Sequence, residues 1–323
     1  MVVQEALAKA ADAPGYPLTI GSAALREAVV EWVARRLGAA VTAAQVVPSI
    51  GSKEMVSLLP SLLGLSPGSK VLIPRLAYPT YDVGARLAGC EPVPVDDVAS
   101  YDPSGVGLVW LNSPSNPTGA VLTAAELARV VAWGREHGVL VASDECYLEL
   151  GWDTSPVSVL HPSVCGGSVD GVLALHSLSK RSNLAGYRAG FAVGDTSAVA
   201  AVIEARKHIG LLVPAPVQAA LVAALGDDAH VAEQKTRYGS RRTRLKSAVE
   251  AAGFRVDHSE AGLYLWATRD EQCWETVAAL AAVGLLVAPG EFYGADGARH
   301  VRMALTATDE RIDAGVERLA ALV

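Results

Sequence analysis

The chain predicts an α/β fold in which a mainly parallel sheet is flanked by helices, followed by a smaller C-terminal α+β unit. Three observations carry this. Short β-rich runs alternate with helical ones as far as Val193, polar turns fall where the carboxyl ends of those strands should lie, and near Asp227 the pattern changes to one long charged helix. Strands alternating with helices imply right-handed βαβ crossovers, and such sheets bind ligands beyond the carboxyl ends of their strands.

From Ser22 to Leu37, apolar Leu25, Val29, Val33 and Leu37 recur every four residues, Ser22 can cap the start and Gly38 follows the end, so this stretch reads as an amphipathic helix. Lys70 to Pro74, Val106 to Leu111, Val139 to Ser143, Val172 to His176 and Phe191 to Val193 read as buried strands. Thr123 with Glu126 forms a capping box for a helix running to His137, closed by Gly138. In the long helix after Asp227, the cations Lys235, Arg237, Arg241, Arg242, Arg244 and Lys246 are expected to make a solvated face. Phe254 to Val256, Leu263 to Ala267, a helix near Glu271 to Val283, Leu285 to Ala288, His300 to Leu305 and a final helix complete the smaller unit. The expected division is 1–20 as an N-terminal helix and arm, 21–230 as the large domain and 231–323 as the small one.

With 323 residues, 51% of them hydrophobic and 19% charged, the chain has ample material for a core and is not disordered. A net charge of -7 argues against broad nucleic-acid binding, because no basic stripe is available to neutralise a phosphate backbone. Cys90, Cys146, Cys165 and Cys273 are scattered, with no histidines at zinc spacing, so neither disulfides nor a metal site is expected. Mean hydropathy is +0.29, raised by Ala and Val, yet no apolar run approaches the ~20 residues that span a bilayer, and no signal peptide is visible. The expected setting is the cytoplasm, without membrane or nucleic-acid partners. No Gly-x-Gly-x-x-Gly, Walker A loop or Gly-x-Ser-x-Gly elbow occurs, which removes the usual nucleotide and hydrolase readings.

The most informative segment is His176-Ser-Leu-Ser-Lys-Arg-Ser-Asn-Leu-Ala-Gly-Tyr-Arg188. Lys180 can form a Schiff base with an aldehyde, while Ser177, Ser179 and Arg188 can bind a phosphate dianion. An aldehyde and a phosphate on one ligand suggest pyridoxal 5'-phosphate (PLP). By itself the segment also fits an ordinary polar loop with exposed cations.

Other segments bear on the choice. The strand ending at Ser143 delivers Asp144 and Tyr147 to its carboxyl end, where a carboxylate needs a cationic partner such as a protonated pyridine nitrogen. Tyr147 could then donate to the ring's phenolic oxygen. A helix cap is the alternative for Asp144. Asn112-Ser-Pro-Ser-Asn-Pro-Thr-Gly119 describes a tight turn that would present Asn116 to the ring oxygen and a substrate carboxylate, or form a structural Asx turn. Gly51-Ser-Lys-Glu54 opens a helix, so Ser52 and Lys53 could hold phosphate at its N-terminus. Tyr78 could stack on a flat ring or pack in the core. Arg302, on an apolar strand, fits either a substrate carboxylate or a structural salt bridge.

In chain order, Tyr16, Gly51-Ser-Lys53, Tyr78, Asn116-Pro-Thr-Gly119, Asp144 with Tyr147, Ser177-Leu-Ser-Lys180, Arg188 and Arg302 strongly resemble the class I/II aminotransferases of PLP-dependent transferase fold type I, almost from end to end. The resemblance implies that Lys180 is the Schiff-base lysine and proton shuttle, that Asp144 binds the pyridinium, and that Asn116 and Tyr147 bind the ring oxygen. It further implies that Tyr78 stacks on the ring, that Ser52, Lys53, Ser177 and Arg188 bind phosphate, and that Arg302 binds the substrate α-carboxylate. Tyr16 matches the tyrosine that reaches the phosphate of a neighbouring subunit, so a homodimer with shared active sites is implied.

Ala77-Tyr-Pro-Thr-Tyr-Asp-Val-Gly-Ala-Arg86, residues 152–165 and Val213-Pro-Ala-Pro-Val-Gln218 look like the actinobacterial succinyldiaminopimelate aminotransferases of lysine biosynthesis. That implies ping-pong transfer from glutamate, leaving 2-oxoglutarate, to N-succinyl-2-amino-6-oxopimelate. Aspartate aminotransferases carry an arginine for the distal carboxylate where this chain reads Pro-Val-Gln-Ala-Ala, so aspartate is not the expected donor. Arg206, Lys207 and Arg86 are candidates for the succinyl group, or plain surface charges. Another amino-acid aminotransferase, a PLP C–S β-lyase using the same cofactor site and a non-catalytic PLP-binding domain remain as alternatives. The family usually has a leading segment over the active site, whereas this sequence starts in what resembles the helix that follows it.

Overall fold

A computed structural model describes residues 2–322. Met1 and Val323, the outer residues of the two expected end segments, lie outside that range. The main sheet contains β1 (Val46–Ile50), β2 (Lys70–Ile73), β3 (Glu91–Pro94), β4 (Val106–Asn112), β5 (Leu140–Asp144), β6 (Val172–Ser177) and β7 (Ala189–Gly194), in the order β1-β7-β6-β5-β4-β2-β3. Four of its six pairings are parallel and the two made by β7 are antiparallel. The sheet is thus mainly parallel, as the sequence predicts, with β7 alone running against the rest.

Strand alternation sorts the core into two layers. Along β4, Leu108 and Trp110 join one buried cluster and Val109 and Leu111 the other; β6 divides Leu173 and Leu175 from Val172 and Ala174 in the same way. Each such fully buried aliphatic side chain stabilises the fold by about 1.5–3 kcal/mol. One layer is closed by the helix Ala23–Leu37, which buries Leu25, Val29, Trp32, Val33 and Leu37. Its N-terminus is capped by the Ser22 hydroxyl accepting from the Leu25 N–H at 3.2 Å, and it ends at Gly38 with φ 66°. The capping box of Thr123 and Glu126 opens the helix Ala124–Glu136.

A second sheet, β8 (Arg255–Asp257), β9 (Tyr264–Thr268), β10 (Ala288–Pro289) and β11 (Val301–Ala304), is antiparallel in the order β10-β11-β9-β8. It packs with the helices Ala229–Ala251, Cys273–Ala282 and Asp309–Leu319 around Leu245, Val249, Leu265, Val301 and Ile312. β10 is shorter than the run from Leu285 to Ala288 suggests, and Leu286 lies exposed. The cations of the long helix are not all solvated. The Arg241 and Arg242 side chains are only 12% exposed and pair with Asp309 and Asp153, and Arg244 pairs with Asp309 and Asp313, so this face docks the last helix.

The direction of β7 builds the site. Because it runs against its neighbours, its amino end lies beside the carboxyl ends of β1 and β6, on the edge where β5 also ends; Ser177 pairs with Gly190 and Ile50 with Ala189. Arg188, just before β7, is thereby brought to the edge where Asp144 and Ser177 end their strands. No helix among the described residues is long and apolar enough to cross a membrane.

Candidate active site

A cleft of about 290 Å³ opens at that edge, lined by residues from five loops of the main sheet and by Tyr264 and Arg302 of the second. The sequence-derived residues Ser52, Lys53, Tyr78, Asn116, Asp144, Tyr147, Ser177, Ser179, Lys180, Arg188 and Arg302 all line it. Tyr16 does not: it is 95% exposed and lies apart from the cleft of its own chain.

Asp144, the last residue of β5, is buried. Its Oδ1 accepts from the Cys146 N–H at 3.2 Å and its Oδ2 from the Tyr81 hydroxyl at 3.2 Å. Burial raises its pKa above the ordinary carboxylate value, opposed by those hydrogen bonds and by the charge of Lys180. The position beside β4 is fixed by Asn112, whose Nδ2 donates to the Asp144 carbonyl at 2.9 Å while its Oδ1 accepts from the Asn116 N–H at 2.8 Å. One amide thus locks the turn that follows β4, whose Ser113–Pro114 and Asn116–Pro117 bonds are both cis, to the end of β5.

Lys180 sits on the short helix Leu178–Arg181 directly after β6. At the amino end of that helix the Ser177 hydroxyl donates to Ser179 Oγ at 2.9 Å and accepts from the Ser179 N–H at 3.2 Å. Ser52 and Lys53 lie in the first turn of the helix Gly51–Leu62. Arg188 Nη1 donates to the Ala185 carbonyl at 2.7 Å. Gly51 has φ 71°, and a Cβ there would stand 2.3 Å from Arg188 Nη2, so only glycine lets the guanidinium lie over this helix start. Two serine hydroxyls, helix N–H groups, Lys53 and Arg188 can together hold a dianion.

Arg302 Nη1 donates to Asn116 Oδ1 at 2.9 Å, and its Cζ lies 3.9 Å from the Tyr264 ring centroid and 4.9 Å from that of Tyr293. The Tyr147 and Tyr264 hydroxyls are 3.0 Å apart. Burial pushes the Tyr147 phenol well above its ordinary value, so it stays a proton donor at neutral pH. The cleft thus brings together an anion cradle, a buried carboxylate for a cationic ring nitrogen, an amine and a guanidinium. PLP carries a phosphate dianion, a basic ring nitrogen and an aldehyde, each of which meets a complementary group in this donor set, so the residues fit it.

Tyr81, Asn112, Cys146 and Tyr264 are site residues that the sequence reading passed over. Tyr81 follows Tyr78 by three residues and Asn112 heads the proline turn, so both carried a signal. The candidates for a succinyl group fare worse. Arg206 is 0% exposed and is committed to Glu54 and the Pro48 carbonyl, while Lys207 pairs with Glu204 and Arg86 with Asp82 on the surface. None lines the cleft.

A family model for aminotransferase class I and II matches residues 2–319. The chain is 58% identical over 318 residues to the 4-dedimethylamino-4-oxo-anhydrotetracycline transaminase OxyQ of Streptomyces rimosus, covering 98% of this chain and 89% of that one. It is 60% identical over 319 residues to the probable aminotransferase Rv1178 of Mycobacterium tuberculosis, covering 98% and 76%. Among solved structures, an aminotransferase from Staphylococcus aureus superposes with a TM-score of 0.92 at 26% identity, covering 99% and 89%. The N-succinyldiaminopimelate aminotransferase of Mycobacterium tuberculosis does so with 0.88 at 28%, covering 100% and 88%. The chain belongs to the class I and II aminotransferases, PLP-dependent enzymes of fold type I that exchange amino groups between amino acids and oxo acids.

Proposed function

We propose that the cleft transfers the amino group of glutamate to an oxo acid in two half-reactions, with Lys180 as the cofactor-bearing lysine. The observation that carries this is the meeting of Asp144, at the end of β5, with Lys180, just after β6, in one cleft that also holds Arg302. Bound PLP supplies a ring that accepts electrons from the substrate α-carbon. Asp144 keeps the ring nitrogen protonated. Asn116 Nδ2 and the Tyr147 hydroxyl donate to the ring oxygen, and Tyr78 stacks on the ring. Ser52, Lys53, Ser177, Ser179 and Arg188 hold the phosphate. Arg302 takes the substrate α-carboxylate with the guanidinium edge not used by Asn116. Lys180 Nζ would take the proton from the substrate α-carbon. Tyr16, exposed on the arm, reaches the phosphate of a second copy in a homodimer with shared sites.

For the acceptor we propose N-succinyl-2-amino-6-oxopimelate, hence a role in lysine biosynthesis. Three stretches resembling the succinyldiaminopimelate enzymes and the structural likeness to the mycobacterial one support it. The 58% identity to OxyQ supports a second reading, in which the acceptor is a polycyclic ketone. Steady-state rates with glutamate and each acceptor decide between them. The first reading expects kcat/KM for the succinylated oxo acid to be at least ~100-fold above that for 4-dedimethylamino-4-oxo-anhydrotetracycline; the reverse order contradicts it.

A further inference from the structure

β9 and β11 pair so that Trp266 faces Arg302 and Tyr264 faces Ala304. Side chains two residues apart on one strand share a face, so Tyr264 and Arg302 are diagonal neighbours across the ladder. This register lays the Tyr264 ring against the guanidinium, 3.9 Å from Cζ to the ring centroid. The same ring is T-shaped to Tyr147, centroids 5.8 Å apart, with the two hydroxyls at 3.0 Å. Tyr264 is buried, and its two ends therefore touch two different functions of the cleft.

A phenol has one proton to donate. If the Tyr147 hydroxyl gives its proton to the ring oxygen, it must accept at the Tyr264 contact, which makes Tyr264 the donor. We propose that Tyr264 is a positioning residue that joins substrate-carboxylate binding to the cofactor: its ring supports Arg302 and its hydroxyl donates to Tyr147, which in turn donates to the ring oxygen. The proposal rests on the roles given above to Tyr147 and Arg302. A donor behind Tyr147 strengthens Tyr147's own hydrogen bond to the ring oxygen, and because that bond would stabilise the oxygen most as an anion, the proton on the adjoining Lys180 nitrogen would be given up more readily. The titratable and charged groups around the pair are Asp144, Cys146, Lys180, Tyr238, Tyr293 and Arg302.

Tyr264→Phe removes the hydroxyl and keeps the ring, while Tyr264→Leu removes both. The PLP-loaded proteins are titrated with acid and base while the visible band is followed, a measurement that needs no turnover. In Tyr264→Phe the midpoint is expected to fall by roughly half a unit to one unit, the worth of one hydrogen bond. The dissociation constant for glutamate, read from the same band, is expected to stay within about twofold in Tyr264→Phe and to rise roughly three- to thirtyfold in Tyr264→Leu, the worth of a cation–π contact. A side chain that only fills space would give no such split. An unmoved midpoint in Tyr264→Phe overturns the proposal, whether or not Tyr264→Leu folds. A wild-type chain that shows no band with PLP instead sinks the reading of the cleft.

Discussion

Arg302 of β11 donates to Asn116 Oδ1 at 2.9 Å, across 186 residues of sequence. The contact ties the second sheet to the turn after β4, and Asn112 ties that turn to Asp144. The proposed carboxylate-binding group and the buried acid are thus held by one run of side-chain amides.

Removing the middle of that run should separate binding from folding. Asn116→Ala leaves Arg302 without its polar anchor and takes a donor from the ring oxygen. We expect kcat/KM for glutamate to fall roughly 10- to 100-fold, with the loss shared between kcat and KM, while the thermal midpoint moves little. Arg302→Lys should cost more, about 100-fold or above, because an ammonium cannot make the planar two-pronged contact with a carboxylate. Equal kcat/KM in wild type and Asn116→Ala would remove Asn116 from the site.

Behind Asp144 lies a buried pair, Glu145 and His176, with Glu145 Oε2 and His176 Nε2 3.6 Å apart. Burial pushes Glu145 up to about 7 from 4.5 and holds His176 down to about 3 from 6.5. For Glu145 the folded value lies above the unfolded one, so its contribution to stability is complete below 4.5 and is lost as the pH rises through about 7. His176 is the opposite case, complete above 6.5 and lost as the pH falls towards about 3. Glu145→Gln keeps an acceptor for the Val159 N–H and removes only the first dependence. Denaturant unfolding should show the variant gaining on wild type between pH 5 and pH 8 by about 1–3 kcal/mol. The same difference at both pH values would show that Glu145 does not hold its proton.

Arg206 carries no exposed surface and balances Glu54 at 3.1 Å. Arg206→Met would leave the Glu54 carboxylate buried beside an apolar chain, and we expect a loss of about 3–5 kcal/mol in denaturant unfolding. The paired change with Glu54→Gln should recover most of it. A single variant as stable as wild type would mean that the pair carries no net weight.

Most main-sheet strands were legible because buried strands read as continuous apolar runs, and β4, β5 and β6 end within a residue of expectation. β3 was not, since Glu91, Pro92 and Pro94 on a sheet edge carry neither alternation nor an apolar run. The residues at strand ends were readable from their chemistry: Asp144, Lys180 and Arg188 all line the cleft. Tyr264 was not, because an aromatic on an apolar strand looks like core until the register of β9 on β11 puts Arg302 beside it. Arg206 misled for the complementary reason. A cation in sequence looks available, and only the fold shows that Glu54 and the Pro48 carbonyl have taken it.

The most direct test of the central claim is the visible spectrum of the PLP-loaded protein on addition of glutamate, with released 2-oxoglutarate measured alongside and Lys180→Ala as the control. The account predicts that the wild-type band is lost as one equivalent of 2-oxoglutarate per site appears, and that Lys180→Ala releases none. A wild-type band unmoved by glutamate, or release by Lys180→Ala at a comparable rate, would contradict it.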